Sequence, residues 1–262
     1  MARRIVTLTT DFGLSDHFTG VMKGVILSIA PAAEIVDITH QAEAFDISGG
    51  AFAIGAAYRY FPKKTVHVVV IDPGVGTSRR ALVAEAAGQF FVAPDNGVLS
   101  MIYAREKHKV RAIVKDEYFR KPVSRTFHGR DIFAPVAAHL ARGVPAARFG
   151  KLIDNYLKLP LGRPVRTGKR FWQGTVLKVD HFGNLITNFH IDEFPALATR
   201  PFQLTCGQAA LTELVETFAQ GAPGEPVLVV GSSGYVEIAA NRASAAKALA
   251  CGAGSPVDLI LW

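Results

Sequence analysis

Along the first part of the chain, short apolar runs take turns with stretches whose apolar residues recur at helical spacing. RIVTLTTDF, EIVDIT and VHVVVID read as strands. The last is nearly continuous in its hydrophobicity, as a strand covered on both faces should be. RALVAEA, QFFVAPD and VRAIVK add three more. Between the first two strands TGVMKGVILSIA, Thr19 to Ala30, has a helical pattern that stops before Pro31. Asp46 is placed to cap a helix through ISGGAFAIGAAYRYF, closed by Pro62. A short helix is expected from Gly97 to Ala104, and a longer one over GRDIFAPVAAHLARG with Pro135 near its start. Strands alternating with helices predict an α/β layered sheet.

The pattern changes near residue 155. LPLGRPVRTGKR is rich in Pro, Gly and Arg, as linkers often are. Beyond it come strand-like pieces: FWQGTVLKVD, NLITNFHI, FQLTC, PVLVVGSSGYVEIAA and PVDLILW. Only LTELVETFAQ and SAAKALAC read as helical. The expected organisation is an N-terminal α/β domain over residues 1–158 and a smaller, mostly β domain over 170–262.

Composition narrows this little but usefully. The chain has 262 residues, 49% of them hydrophobic and 19% charged, which excludes a disordered polymer. No apolar run approaches the ~18 residues of a membrane span. The opening MARRIVTLTTDFG makes a poor signal peptide, so a soluble, cytoplasmic protein with no membrane partner is expected. Cys206 and Cys251 are far apart and form no CxxC, which argues against a disulfide framework or a zinc site and for two buried free thiols. The formal charge is +7, yet the basic residues are scattered in pairs such as Lys63 and Lys64, or Arg79 and Arg80. No nucleic-acid partner is read from so dispersed a charge; a basic surface also suits anionic small molecules.

Five polar stretches stand out. In TLTTDFGLSDHF, Asp11 ends the first strand, where ligands of open α/β sheets bind, and can accept hydrogen bonds from a ribose diol; the alternative is that it caps the next turn. Asp11, Asp16 and His17 match no metal-ligand spacing. In IDPGVGTSRR, the string GVGTSR has Arg79 where a dinucleotide fingerprint needs glycine, and no P-loop ending follows. What remains is Asp72 at a strand tip with Arg79 seven positions on, either a structural ion pair or part of a site. In SRTFHGRDIFAP, His128 precedes a helix whose N-terminus favours a neutral imidazole. VDHFGNLITN marks a hairpin turn through Asp180, Phe182, Gly183, Asn184 and Asn188. In VVGSSGYVEIAANRASAA, Ser232, Ser233, Tyr235, Asn241 and Arg242 interrupt apolar sequence, and such a Gly/Ser loop can meet a purine edge.

Taken together, TTDFG, DPGVGTxR, PDNG, FHGRDIF, DHFGN and GYVEIAANRASAA resemble the S-adenosylmethionine (SAM) hydroxide adenosyltransferases, or SAM hydrolases, relatives of the fluorinase and chlorinase. The match runs in order over nearly the whole chain. The resemblance implies a C-terminal β-barrel-like domain and a homotrimer with sites between subunits. It implies hydrolysis of SAM to adenosine and L-methionine with no cofactor and no metal. It places Asp72, Arg79 and His128 as the water-handling set, Asp11 at the ribose diol and Asp16 at the methionine amine. Phe45 falls where the halogenases carry a Trp against the methionine. Asp180, Asn184 and Ser233 fall at further substrate positions, Phe182 packs on the adenine, and Asn241 to Ala243 meet its edge.

The departures carry information too. Asn241 stands where halogenases have Arg, the fluorinase loop insertion is missing, and His128-Gly129 replaces the Tyr-Ser pair of its halide pocket. Asp72 and Val75 replace a tyrosine and a threonine. A halide would face the Asp72 carboxylate, so water is the expected nucleophile. A chloride-using enzyme and a non-catalytic binder of SAM or adenosine are the alternatives.

Overall fold

The computed structural model describes residues 4–160 and 163–262. Leu161 and Gly162, inside the expected linker, lie outside the described residues. The chain divides into two compact units, Met1–Leu161 and Gly162–Trp262.

The first unit is built on a mixed seven-stranded sheet. In chain order its elements are β1 (Ile5–Thr10), α1 (Phe18–Ile29), β2 (Glu34–Thr39), α2 (Ile47–Ala57), β3 (Val66–Val70), β4 (Ala81–Ala86), β5 (Gln89–Pro94), α3 (Ser100–Arg105), β6 (His108–Ala112), α4 (Ala134–Ala141) and β7 (Leu152–Ile153). The strand order is β2-β1-β3-β5-β4-β6-β7. β2, β1, β3 and β5 run parallel; β4, β6 and β7 join antiparallel. Helices α1 and α4 pack on one face, α2 and α3 on the other. The alternation of β3 serves both: Val66, Val68 and Val70 meet Met22, Ile26 and Phe133, while Val69 and Ile71 meet Ile54 and Ile102. The fully apolar run is thus buried on both sides, as its sequence predicts.

Several elements differ in detail from the sequence reading. Asp46 does cap α2, accepting from the Gly49 amide at 2.9 Å, but the α-helix ends at Ala57 and a 3₁₀ turn, Tyr58–Tyr60, completes it. The helix expected over GRDIFAPVAAHLARG opens with a π-turn, Gly129–Phe133, before α4. The short helix begins at Ser100 rather than Gly97, whose φ of +91° is outside helical range. VRAIVK pairs as a strand only as far as Ala112.

The second unit holds β8 (Val165–Arg166), β9 (Phe171–Val179), β10 (Leu185–His190), β11 (Phe202–Cys206), β12 (Ala209–Leu211), β13 (Pro226–Val230), β14 (Tyr235–Ala240), α5 (Ala245–Leu249) and β15 (Pro256–Leu261). They form an antiparallel sheet in the order β12-β11-β15-β9-β10-β14-β13, with β8 on β9. It is nearly closed, because Leu214, just past β12, bridges Leu228 of β13. Its interior is filled by Val176, Leu185, Phe189, Leu204, Val236, Ile238 and Leu259. LTELVETFAQ, expected to be helical, is instead extended, with the Val215 amide donating to the Leu228 carbonyl at 2.8 Å and only a 3₁₀ turn at Phe218–Gln220. Its Leu211 and Leu214 fit a helical spacing, but both pack against the core of the second unit from an extended segment paired with β13, a tertiary override of local propensity. Cys206 is buried, whereas Cys251 is half-buried, a correction to the expectation of two buried thiols. The two are close enough to hydrogen-bond, and burial pushes the Cys206 thiol up to about 12.

Candidate active site

Register carries Asp11 and Asp72 to the same edge. β1 pairs with β3 so that Thr10 lies opposite Val70, and both chains leave the sheet one or two residues later. From this edge the segment 72–79 turns back tightly. The Thr77 hydroxyl donates to the Gly74 carbonyl at 2.7 Å, and Gly76 takes φ +77°. A Cβ on Gly76 would stand 2.1 Å from the Arg125 carbonyl oxygen, so only glycine lets this loop lie against the segment that leads to His128.

The closure brings three charged or polar side chains together. Arg79 grips Asp72 with a fork: Nε donates to Oδ1 at 2.8 Å and to Oδ2 at 3.1 Å, and Nη2 also donates to Oδ2. The same Nη2 lies 2.8 Å from His128 Nδ1. A guanidinium has no acceptor, so His128 Nδ1 accepts, and the imidazole is neutral with its proton on Nε2. Burial holds the His128 pKa below its ordinary value, reinforced by the Arg79 charge and opposed by Asp72 and Asp131. The two ionic side chains are well covered, at 10% exposure for Arg79 and 4% for Asp72. The Phe133 ring lies 5.1 Å beneath the guanidinium.

Around this trio the sequence spends further residues on position. Asp131 is fully buried; it accepts from the Ser124 amide at 2.8 Å and pairs with Arg130 at 2.7 Å, which fixes the segment on either side of His128. Phe12, Phe18 and Phe127 pack edge to face at 5.2–5.9 Å, so the loop after β1 is joined to the residue before His128. Asn96 Nδ2 donates to the Ile71 carbonyl at 2.7 Å, steadying the end of β3. Neither the Phe cluster nor Asp131 was singled out in the sequence, where each looks like ordinary core or helix composition.

Asp11 is partly spent. Its Oδ2 accepts from the Phe45 amide at 2.9 Å, and Phe45 sits at φ +68° and is 71% exposed. Asp16 is exposed in the loop before α1. Buried His40 bonds Thr10 Oγ1 through Nδ1 at 2.8 Å, and its Nε2 lies 3.0 Å from Asp37 Oδ1. Arg80, beside Arg79 in sequence, turns the other way. It pairs with Asp95 at 2.6 Å and bonds the Asn155 carbonyl at 2.7 Å.

In the second unit a separate cluster forms where β9 turns into β10 and β14 ends. Asp180 is consumed by the turn, since its carboxylate accepts from the Phe182 and Asn184 amides at 2.9 and 2.8 Å and from Asn184 Nδ2 at 2.8 Å. Phe182 is left 75% exposed. Asn184, Arg242, Ala243 and Ser244 join it around a pocket of about 590 Å³. Across that pocket stands Phe218, which the sequence reading missed because it lay in the supposed helix. Asn241 does not line the pocket; its Nδ2 donates to the Gly221 carbonyl at 2.9 Å and so holds the segment that carries Phe218. Ser233 lies in the turn before β14, at the opposite end of that strand from Asn241. Asn188, read as part of the turn, is in β10, where its Oδ1 accepts from the Thr175 amide at 2.9 Å.

Among the described residues no group of three or more His, Cys, Asp or Glu side chains is placed to share a metal ion, and no helix is long and apolar enough to cross a membrane.

The chain thus joins an α/β unit with a polar trio at its strand ends to a nearly closed β unit with a ring-lined pocket. The SAM hydroxide adenosyltransferase N-terminal domain family matches residues 6–150 and the C-terminal domain family residues 174–258, and the chain belongs to this family. It is 39% identical over 251 residues to the (R)-S-adenosyl-L-methionine hydrolase of Salinispora tropica, covering 93% of each. It is 34% identical to that of Thermus thermophilus, covering 98% of this chain and all of the relative. A fluorinase of Actinoplanes sp. is 28% identical over 272 residues, covering 91% of each. A crystal structure of a conserved protein from Thermotoga maritima superposes with TM-score 0.90 at 39% identity, covering 98% of this chain and 99% of that one.

Proposed function

We propose that the protein hydrolyses S-adenosyl-L-methionine to adenosine and L-methionine. The observation that carries this reading is Arg79, which holds the Asp72 carboxylate and the His128 imidazole with two of its nitrogens. Those contacts leave Nη1 to meet a water. Water attacks C5′ of the ribose in line with sulfur; the C5′–O bond forms as the C5′–S bond breaks, and methionine leaves as a neutral thioether. The sulfonium needs no acid to depart, so the chemistry calls for no metal and no cofactor. Its real demand is for placement and charge stabilisation at the nucleophile. Arg79 stabilises developing hydroxide character, Asp72 orients Arg79, and the water's proton passes to His128 Nδ1 as Arg79 Nη2 turns wholly to Asp72. A base so placed contributes ~10²–10⁴ in rate.

The remaining roles rest on the family resemblance. Asp11, with Oδ1 unused by Phe45, takes the ribose diol. Asp16 meets the methionine amine, and Phe45 offers its exposed ring to the methionine chain. The pocket of Phe182, Asn184 and Ala243 takes the adenine; Asp180 and Asn241 shape it, and Ser233 contacts substrate from the other end of β14. Domains at 1–158 and 170–262, a cytoplasmic location and a homotrimer with sites between subunits complete the proposal. Incubation with SAM, with and without chloride and EDTA, tests it. Adenosine and methionine forming at equal rate in every mixture supports it; chlorodeoxyadenosine with chloride, or intact SAM, overturns it in favour of a chlorinase or a non-catalytic binder.

A further inference from the structure

At the end of the parallel strands opposite Asp11 and Asp72, the first unit has a concavity of about 610 Å³. It opens beside the starts of β1 and β3, at Ile5 and Thr65. Four cations line it, Arg4, Lys63, Lys64 and Arg142, and no acidic side chain does. None of the four is in ion-pair contact with a carboxylate among the described residues. Part of this charge serves the fold: Arg4 Nη1 donates to the Leu140 carbonyl at 2.6 Å, near the C-terminus of α4. Helix C-termini carry roughly half a negative charge each. Even with both α1 and α4 ending here, four full positive charges leave a large excess.

Lys64 adds an independent sign. Its φ is +70°, in the left-handed region that glycine occupies without cost, and its amide donates to the Gly88 carbonyl at 2.7 Å. A lysine held there bears backbone strain that a glycine would remove. The floor, by contrast, is made of alanines and prolines from 30–33 and Pro62, which make no hydrogen-bond demand on a ligand's body. The volume is in the range of small-molecule sites.

We propose that this pocket binds a phosphate-bearing small anion, either a nucleotide or an inorganic polyphosphate, at a site separate from the candidate active site. The cations grip the phosphates, and the alanine–proline floor accepts an apolar ring where one is attached. The test is calorimetric titration of the whole protein with tripolyphosphate and with ATP, adenosine being present throughout to occupy the nucleoside pocket. At least one should bind saturably, more weakly as salt rises. Lys63→Ala combined with Lys64→Gly, and separately Arg142→Ala, should each weaken it by about tenfold or more. Lys64→Gly alone should not lower the melting temperature, and adenosine formation from SAM should keep its rate in this variant and in the other two. Equal affinity for the two anions assigns the site to phosphate alone; tighter ATP assigns it to a nucleotide. No saturable binding of either at millimolar concentration, or binding undiminished in the variants, overturns the proposal.

Discussion

The trio at the end of β3 and the pocket at the end of β14 use polar residues in opposite ways. In the first unit, Asp72 and Arg79 are covered and turned toward each other and His128, so their charges stay concentrated at one point. In the second, Asp180 spends its carboxylate on backbone amides, and what it leaves facing outward is the Phe182 ring. A covered ion pair with a neutral imidazole is suited to polarising a small nucleophile; exposed rings around a cavity are suited to holding a flat apolar group. The contrast separates rate from affinity, and each region should fail in its own way.

The largest effect is expected at Arg79. Arg79→Ala should cut single-turnover adenosine formation by ~10³ or more while SAM still binds, as for loss of a group acting on the transition state. Arg79→Lys should rescue little, because an ammonium cannot hold Asp72 and His128 with one planar fork. Near wild-type turnover in both variants would sink the assignment.

Arg80→Ala sharpens the same point by sequence neighbourhood. It strands the Asp95 carboxylate, only 4% exposed, without its partner. Chemical denaturation should show a stability loss of about 2–3 kcal/mol with kcat little changed. A collapse of kcat without loss of stability would erase the distinction between the two arginines.

Next comes Phe182→Ala, which should raise KM by roughly 10- to 50-fold through lost ring burial and leave kcat within a few-fold. Phe218→Ala should move KM in the same direction. If kcat falls instead and KM holds, the pocket belongs to chemistry rather than to binding.

The smallest effect separates the core from both sites. Buried His67, bonded to Thr7 Oγ1 at 2.7 Å, has its pKa pushed down to about 4 by burial. Above the unfolded value near 6.5 both states are neutral and pH has no purchase through this group. As pH falls from 6.5 toward 4 only the unfolded chain takes the proton, so about 2 kcal/mol of stability should be gone by pH 5. Urea midpoints at pH 7.5 and 5, for wild type and His67→Gln, measure it; an equal fall in both would assign the loss to other groups.

How much of this was legible beforehand follows the range of the interaction concerned. The β3 run announced a strand buried on both faces, Asp46 announced a cap, and Asp72, Arg79 and His128 were singled out by their place at strand tips and before a helix. These are local signals, set by side-chain period and by the few residue types that satisfy a chain end. Sequence could not choose between a structural pair and a site at Asp72, because that depends on His128 reaching Arg79 from 49 positions away. Nor could it place Phe218: Leu211 and Leu214 have helical spacing, and only the bridge to Leu228, which nearly closes the second sheet, draws the segment out and brings Phe218 to the pocket that Phe182 lines. Arg79 and Arg80 are the sharpest case. Adjacent in the chain and chemically identical, they were given different work by tertiary packing alone, because the fold brings Asp72 and His128 to one guanidinium and Asp95 and Asn155 to the other.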